Sequence, residues 1–357
     1  MFPEINRIYA LEPKEKPQDE GKLGFGQVFT DHMFEMDYVS GKGWINPTIK
    51  PYGPLLMDPS CMILHYGQGV FEGMKAYRRP DGGISLFRPQ LNFERLNLSN
   101  HRLGIPQIDE TFMLHALVEL LKVEQDWVPH TEGASLYIRP FIIATDVHLG
   151  VHVSKTYKYM VILSPSGAYY SQGMAPVNIY IEDEYIRAVR GGTGEAKCPG
   201  NYAASLLAQL EAEGKGYVQV LWLDGIEKKY IEEVGSMNVF FVIDDELVTP
   251  ALNGSVLHGI TRRSVIEMAQ HWGIKVSERR IAVAELIEAG KAGRISEAFG
   301  SGTAAVISPI GEILYEDQSL VFNNGETGPL AQRLYDKLTG LQFGKSEDEL
   351  GWTYQVT

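Results

Sequence analysis

An α/β fold of α+β type, divided into two domains, is predicted by the chain's length, its composition and the order of its segments. The 357 residues exceed what one ordinary core accommodates and suit two domains of about 100 to 200 residues each. With 44% apolar and 22% charged residues, the composition is globular rather than disordered. Strand-like and helix-like runs occur on both sides of one stretch, SPSGAYYSQGMAP at 164–176, which is rich in small and turn-forming residues and has no apolar period. A small N-terminal α+β domain is therefore expected over 1–170 and a larger C-terminal domain of mixed sheet and helices over 171–357, with the linker at about 164–176.

In the first domain, extended segments are expected near 26–38 and 83–87. Pro89 suits a first helical position and Gly104 a stop, which predicts a helix over Pro89–Leu103, and a second helix follows at about 111–123. SLYIRPFIIAT and KYMVILSP supply two β-rich segments. In the second domain VNIYIED, YVQVLWLD, KYIEEVG and NVFFVID read as strands, with Asp224-Gly225 and Asp244-Asp245 as turn signals. Helices are expected at NYAASLLAQLEAEG, ITRRSVIEMAQHWG and near VAELIEAGKAG, each ended by glycine.

Charge and cysteine content exclude several function classes. The 32 basic and 45 acidic residues give a net charge of -13, which opposes a broad footprint on nucleic acid or anionic membrane. Two cysteines, Cys61 and Cys198, do not make a disulfide framework and suit a reducing compartment. The first residues carry charges throughout with no apolar h-region, so a cytoplasmic protein is expected. The uncharged run at 159–181 has the length of a membrane span, but its prolines, glycines, serines, Gln172 and Asn178 argue against one.

Glycine-rich stretches invite a nucleotide reading, which their surroundings oppose. GSGTAA at 300–305 matches G-x-G-x-x-G/A, yet a dinucleotide turn must open a helix, and VISP continues as strand. His148 and His152 have the spacing of a metal pair, but Gly150 lies between them and no glutamate accompanies them as in H-E-x-x-H, so no metal is expected. No G-x-S-x-G elbow is present.

The unusual residue is Lys197, in GGTGEAKCPGNYAAS at 191–205. A lysine is ordinarily a solvated surface charge. This one follows a glycine turn and precedes an apolar helix, where strand gives way to helix and sites are commonly built. Its covalent chemistry is Schiff-base formation with an aldehyde, which requires a neutral amine. Pyridoxal phosphate, such an aldehyde, also needs a carboxylate for its ring nitrogen, a donor for its phenolic oxygen and a cradle for its phosphate. Glu232 and Glu233 are strand neighbours, so alternation turns one outward and one inward. The helix start at Thr261 offers free N–H groups to a phosphate, and Arg95 offers a bidentate contact. In LYIRPF, Tyr137 and Arg139 share one strand face, where the arginine suits a small carboxylate, although taken alone an edge-strand arginine more often pairs with a local acid.

These stretches together resemble the branched-chain amino acid aminotransferases, of the fold-type IV class of pyridoxal phosphate enzymes. FGQVFTDHMF, LHYGQGVFEGMKAYR, LFRPQLNFERLNLS, SLYIRP, GGTGEAKCPGNYAASL, EEVGSMNVFF, HGITRRSVIEMA and AFGSGTAAVISP occur in the family's order over nearly the whole chain. The resemblance implies that Lys197 binds the cofactor covalently and moves the substrate's α-proton. It implies that Tyr202 contacts the phenolic oxygen, that Glu233 keeps the ring nitrogen protonated, and that Arg95, Ile260, Thr261 and Thr303 hold the phosphate. By the same resemblance Thr303, Ala304, Tyr66, Tyr137 and Arg139 surround the substrate carboxylate, with Ser236 nearby. Phe25, Tyr66, Tyr169 and Val151 are then expected to line a pocket for branched side chains. The implied reaction is ping-pong transfer of the amino group between leucine, isoleucine or valine and 2-oxoglutarate, in a homodimer or higher homo-oligomer. D-amino acid aminotransferases and aminodeoxychorismate lyases of the same class are the alternatives. Two departures are visible. The C-x-x-C pair of animal members is replaced by Ala305 and Ser308, which excludes a thiol switch there, and EVGTMN appears as EVGSMN, with Ser236 lacking a methyl.

Overall fold

The computed structural model describes residues 2–167 and 174–357, so Tyr169 and the middle of the expected linker lie outside the described residues. The chain forms two compact units. One takes residues 2–167, 196–199 and 340–357; the other takes 174–195 and 200–339.

The first unit is a nine-stranded sheet. Its order is Asn6–Arg7, Gly43–Pro51, His32–Val39, Thr156–Ser166, Ser135–Ala144, Met74–Arg78, Ile84–Phe87 and Thr353–Gln355, with Gly69–Phe71 also pairing with Ser135–Ala144. Two helices pack against it and against each other. Pro89–Leu103 begins on its proline and ends at Gly104, which has φ 66 and donates its N–H to the Asn100 and His101 carbonyls. Glu110–Val123 is capped by Asp109, whose carboxylate accepts from the Phe112 N–H at 3.0 Å. Helical spacing buries Phe93 and Leu96 on the first helix and Phe112, Met113, Ala116, Leu117, Leu120 and Leu121 on the second, all within one core.

The C-terminal segment departs from the expected continuous domain over 171–357. Thr353 is paired with Phe87 and Gln355 with Ser85, and Val356 N–H donates to the Ile84 carbonyl at 2.8 Å. This short strand satisfies backbone groups that the Ile84–Phe87 edge would otherwise present to water. Trp352 fixes its approach, edge-on to Phe87 with ring centroids 5.8 Å apart and 4.5 Å from the Arg88 guanidinium.

In the second unit the strands Ile231–Val234, Gln219–Leu223, Val177–Glu182, Val306–Tyr315, Ile295–Gly302 and Met237–Ile243 follow one another by hydrogen bonding. The last also pairs back onto the first, Glu233 with Asn238 and Val234 with Met237, so the ring closes. Alternation fills it: Ile179, Ile181, Leu221, Leu223, Val239 and Phe241 share one core. On the other face, Val220 and Trp222 meet Ala208 and Ala212 of the helix Leu206–Gly214.

Two local expectations are corrected here. The single helix expected over NYAASLLAQLEAEG is two, Pro199–Ala203 and Leu206–Gly214. Between them the Ser205 hydroxyl donates to the Tyr202 carbonyl at 2.8 Å, a side-chain bond that competes with the helix ladder. Glu232 and Glu233 do not divide into one outward and one inward residue, since both are 3% exposed. Both faces of their strand are covered, and the segment 253–257 bonds to both carboxylates.

Candidate active site

In the first unit the backbone of Lys197 is held from two sides. Its N–H donates to Ser99 Oγ at 2.9 Å, and its carbonyl accepts from the Phe71 N–H at 2.9 Å. The amine lies 5.0 Å from the centroid of the Phe71 ring. Cys198, beside it, is buried in the first core and acts as an apolar anchor for the segment that carries the lysine.

Behind Phe71 lies Glu72, fully buried, with Arg95 bonded to both of its oxygens. Phe71 also stacks with the Arg139 guanidinium, 4.9 Å from its ring, and Arg139 donates to the Tyr137 hydroxyl at 2.9 Å. Phe25 meets Tyr137 edge-on with centroids 4.8 Å apart. Gly73 is required opposite this pair, because a Cβ there would run into the Tyr137 hydroxyl. Among the described residues no acid pairs with Arg139 and none hydrogen-bonds its buried Nε. Of its two sequence readings, the local ion pair is therefore absent among the described residues, and an unsatisfied donor remains within an aromatic frame.

In the second unit Glu233 is the centre of a buried network. One oxygen accepts from the Leu257 N–H at 2.7 Å; the other lies 3.1 Å from Arg187 Nε. The Arg187 guanidinium also donates to the Ser255 carbonyl. Leu257 leads into the helix Ile260–His271, whose N-cap is Gly259 and whose first turn has no side-chain cap, which leaves its N–H groups and positive dipole end open to an anion. Asn238 braces this start by donating to the Leu257 carbonyl at 3.0 Å. Glu233, Ile260 and Thr261 are thus brought together by 255–259. Glu232 instead ties down the Asn253–Ser255 turn.

The remaining predicted positions occupy turns. Thr303 and Ala304 sit at the tip of the hairpin that joins Ile295–Gly302 to Val306–Tyr315, with Gly302 paired to Val306. GSGTAA is therefore a strand-turn-strand element and opens no helix. Near it the buried Ser301 hydroxyl has no hydrogen-bond partner among the described residues. Ser236 is exposed in the turn after Val234. Tyr202 is half-buried in Pro199–Ala203, and Asn201 beside it exchanges hydrogen bonds of 2.7 Å with Thr193, which locks the glycine turn to that helix. Gly194 in that turn approaches the Ser255 carbonyl so closely that a Cβ would collide with it.

The family model described as amino-transferase class IV matches residues 69–313. The chain belongs to the class IV aminotransferases. It is 60% identical over 356 residues to branched-chain-amino-acid aminotransferase 2 of Bacillus subtilis, covering 100% of this chain and 98% of that one. Branched-chain-amino-acid transaminase 1 of the same organism is 54% identical, covering 99% of each. Among solved structures, the Escherichia coli branched-chain amino acid aminotransferase superimposes with a TM-score of 0.77 at 29% identity, covering 92% of this chain and 99% of that chain. The T.th. branched-chain amino acid aminotransferase with pyridoxamine 5'-phosphate gives 0.74 at 28%, covering 90% and 98%.

Pyridoxal phosphate is the cofactor of this class IV aminotransferase, and the donor set fits it. A lysine amine, a buried carboxylate held by an arginine, and an uncapped helix start match its aldehyde, ring nitrogen and phosphate. Not every predicted residue joins these clusters. The Tyr66 hydroxyl donates to the Leu149 carbonyl, and Tyr66 is 41% exposed; Val151 is 80% exposed. Conversely, Phe71, Glu72, Asn92 and Ser99 form the setting of Lys197 and Arg95, although none was singled out in the sequence. The shared stretches VFEG and ERLNLS contained the signal, but not the contacts.

Proposed function

We propose that this class IV aminotransferase exchanges amino groups reversibly between L-leucine, L-isoleucine or L-valine and 2-oxoglutarate, by a ping-pong reaction at Lys197. The observation that carries the substrate reading is Arg139, which has an unsatisfied buried donor and is framed by Phe71, Tyr137 and Phe25. One cation among apolar rings suits an amino acid whose remainder is hydrocarbon, at about 0.8 kcal/mol per buried methylene. The 60% identity to a Bacillus branched-chain enzyme supports the same reading.

Bound pyridoxal phosphate supplies the electron sink that weakens the substrate's Cα–H bond. Arg95, the first turn at Ile260 and Thr261, and Thr303 would hold its phosphate, Tyr202 its phenolic oxygen, and Glu233 a proton at its ring nitrogen. Arg187, with its Nε 3.1 Å from the Glu233 carboxylate, pairs with that acid. Arg139 and Tyr137, with Ala304 and Ser236, orient the carboxylate so that the α-hydrogen faces Lys197. Lys197 Nζ takes that proton and returns it, acting as general base and then acid. Phe25 and Phe71 keep water from the reacting carbon.

The reading includes a cytoplasmic homodimer. The apolar side chains of Leu64, Val147, Leu149, Val151 and Val153, all more than half exposed, suit coverage by a second copy. Lys197→Ala is expected to abolish turnover and the visible absorption of bound pyridoxal phosphate. Normal turnover in that variant would overturn the assignment. Rates with L- and D-leucine separate it from a D-amino acid aminotransferase, and a lyase would consume neither.

A further inference from the structure

Glu72 is a buried charge for which the proposed reaction names no task. It lies between the strands Gly69–Phe71 and Met74–Arg78, with 0% exposure. Four N–H contacts converge on it. Arg95 Nε donates to Oε1 at 2.7 Å; Arg95 Nη2, Asn92 Nδ2 and Gly73 N donate to Oε2 at 2.8, 2.8 and 3.1 Å. Arg95 and Asn92 stand three residues apart on one face of Pro89–Leu103, so the helix presents both to the same carboxylate. The residue before it, Phe71, seats the Lys197 backbone and places its ring against the amine.

We propose that Glu72 is a positioning residue, which clamps the Arg95 guanidinium in one orientation and supplies the negative charge against which Lys197 holds a proton. The inference rests on Lys197 being the cofactor lysine. The charged and titratable groups facing Glu72 are Arg95, Lys197 and the Tyr159 phenol, whose buried hydroxyl has no hydrogen-bond partner among the described residues. Burial pushes the Glu72 carboxyl up, but Arg95, Lys197 and Asn92 more than reverse this, so it stays ionised. Without it the carboxylate charge that favours the positive form of Lys197 is gone, and Arg95 is left to the cofactor's phosphate. When Lys197 takes the α-proton, a C–H bond breaks, an N–H bond forms and the electron pair stays with the carbon; Glu72 exchanges no proton.

The test titrates the visible band of bound pyridoxal phosphate in wild type, Glu72→Gln and Glu72→Asp, since its midpoint reports protonation at the Lys197 nitrogen. The Gln variant, nearly the same shape without the charge, should lower the midpoint by about one pH unit or more, a tenfold loss of proton affinity. The Asp variant should restore most of it. An unmoved midpoint in a loaded Gln variant overturns the inference while leaving the proposed function intact. If Glu72→Gln does not fold, the Asp variant decides by a smaller shift of the same sign. Collapse of both beside an intact wild type assigns Glu72 to stability alone and also overturns the role. A wild type that neither shows the band nor transaminates L-leucine overturns the proposed function, and the inference with it.

Discussion

At the scale of single residues, the side chains of the proposed site stand in pairs. Arg139 stacks on Phe71 and bonds to Tyr137, and Tyr137 needs the space that Gly73 leaves empty. Gly73→Ala must push the Tyr137 hydroxyl aside. We expect kcat/KM for branched-chain substrates to fall about tenfold or more, mainly through KM, with a stability loss of about 1 to 3 kcal/mol from overpacking. Steady-state kinetics beside a thermal melt measure both. Lys197, Glu233 and Thr261 of the proposed site could be singled out in the sequence because each sits in a short motif. Glu72 was not, because its meaning comes from Arg95, 23 residues later on another element, and Ser99 reaches Lys197 across 98 residues.

At the scale of elements, turns and strand edges place the chemistry. The Asp224-Gly225 signal marks the connection from Gln219–Leu223 to Ile231–Val234, the strand that carries Glu233. Asp224 accepts backbone N–H bonds from Glu227, Tyr230, Lys229 and Ile226 at 2.8 to 3.3 Å. Burial raises its carboxyl, but these four bonds outweigh it and hold the pKa below the usual value. A pKa depressed by folding stabilises above the unfolded value, about 3.9, and the contribution disappears as pH falls through the folded one. Asp224→Asn should therefore lose about 2 kcal/mol near neutrality and approach wild type only as pH falls below about 4, in melts across that range. The helix Pro89–Leu103 was readable from its proline and glycine. The break at Ser205 was not, because nothing in NYAASLLAQLEAEG interrupts the helical pattern; a hydroxyl bond decides it.

At the scale of the whole molecule, length argued for two parts, but residues 164–166 of the expected linker end the strand Thr156–Ser166, and the membership of residues 340–357 was not legible. TYQ has strand-forming residues but is only three residues long, and its pairing with Ile84–Phe87 is a long-range choice. Removing 351–357 should expose that strand as a free edge, lower the melting temperature by several degrees and promote aggregation, visible by light scattering. The same pairing sets an order of assembly. The Ile84 N–H reaches the Thr357 hydroxyl 273 residues away, whereas every strand of the closed ring lies between Val177 and Tyr315. On a ribosome, the ring can therefore close while the first sheet still waits for its border strand, so the unit that begins first is completed last.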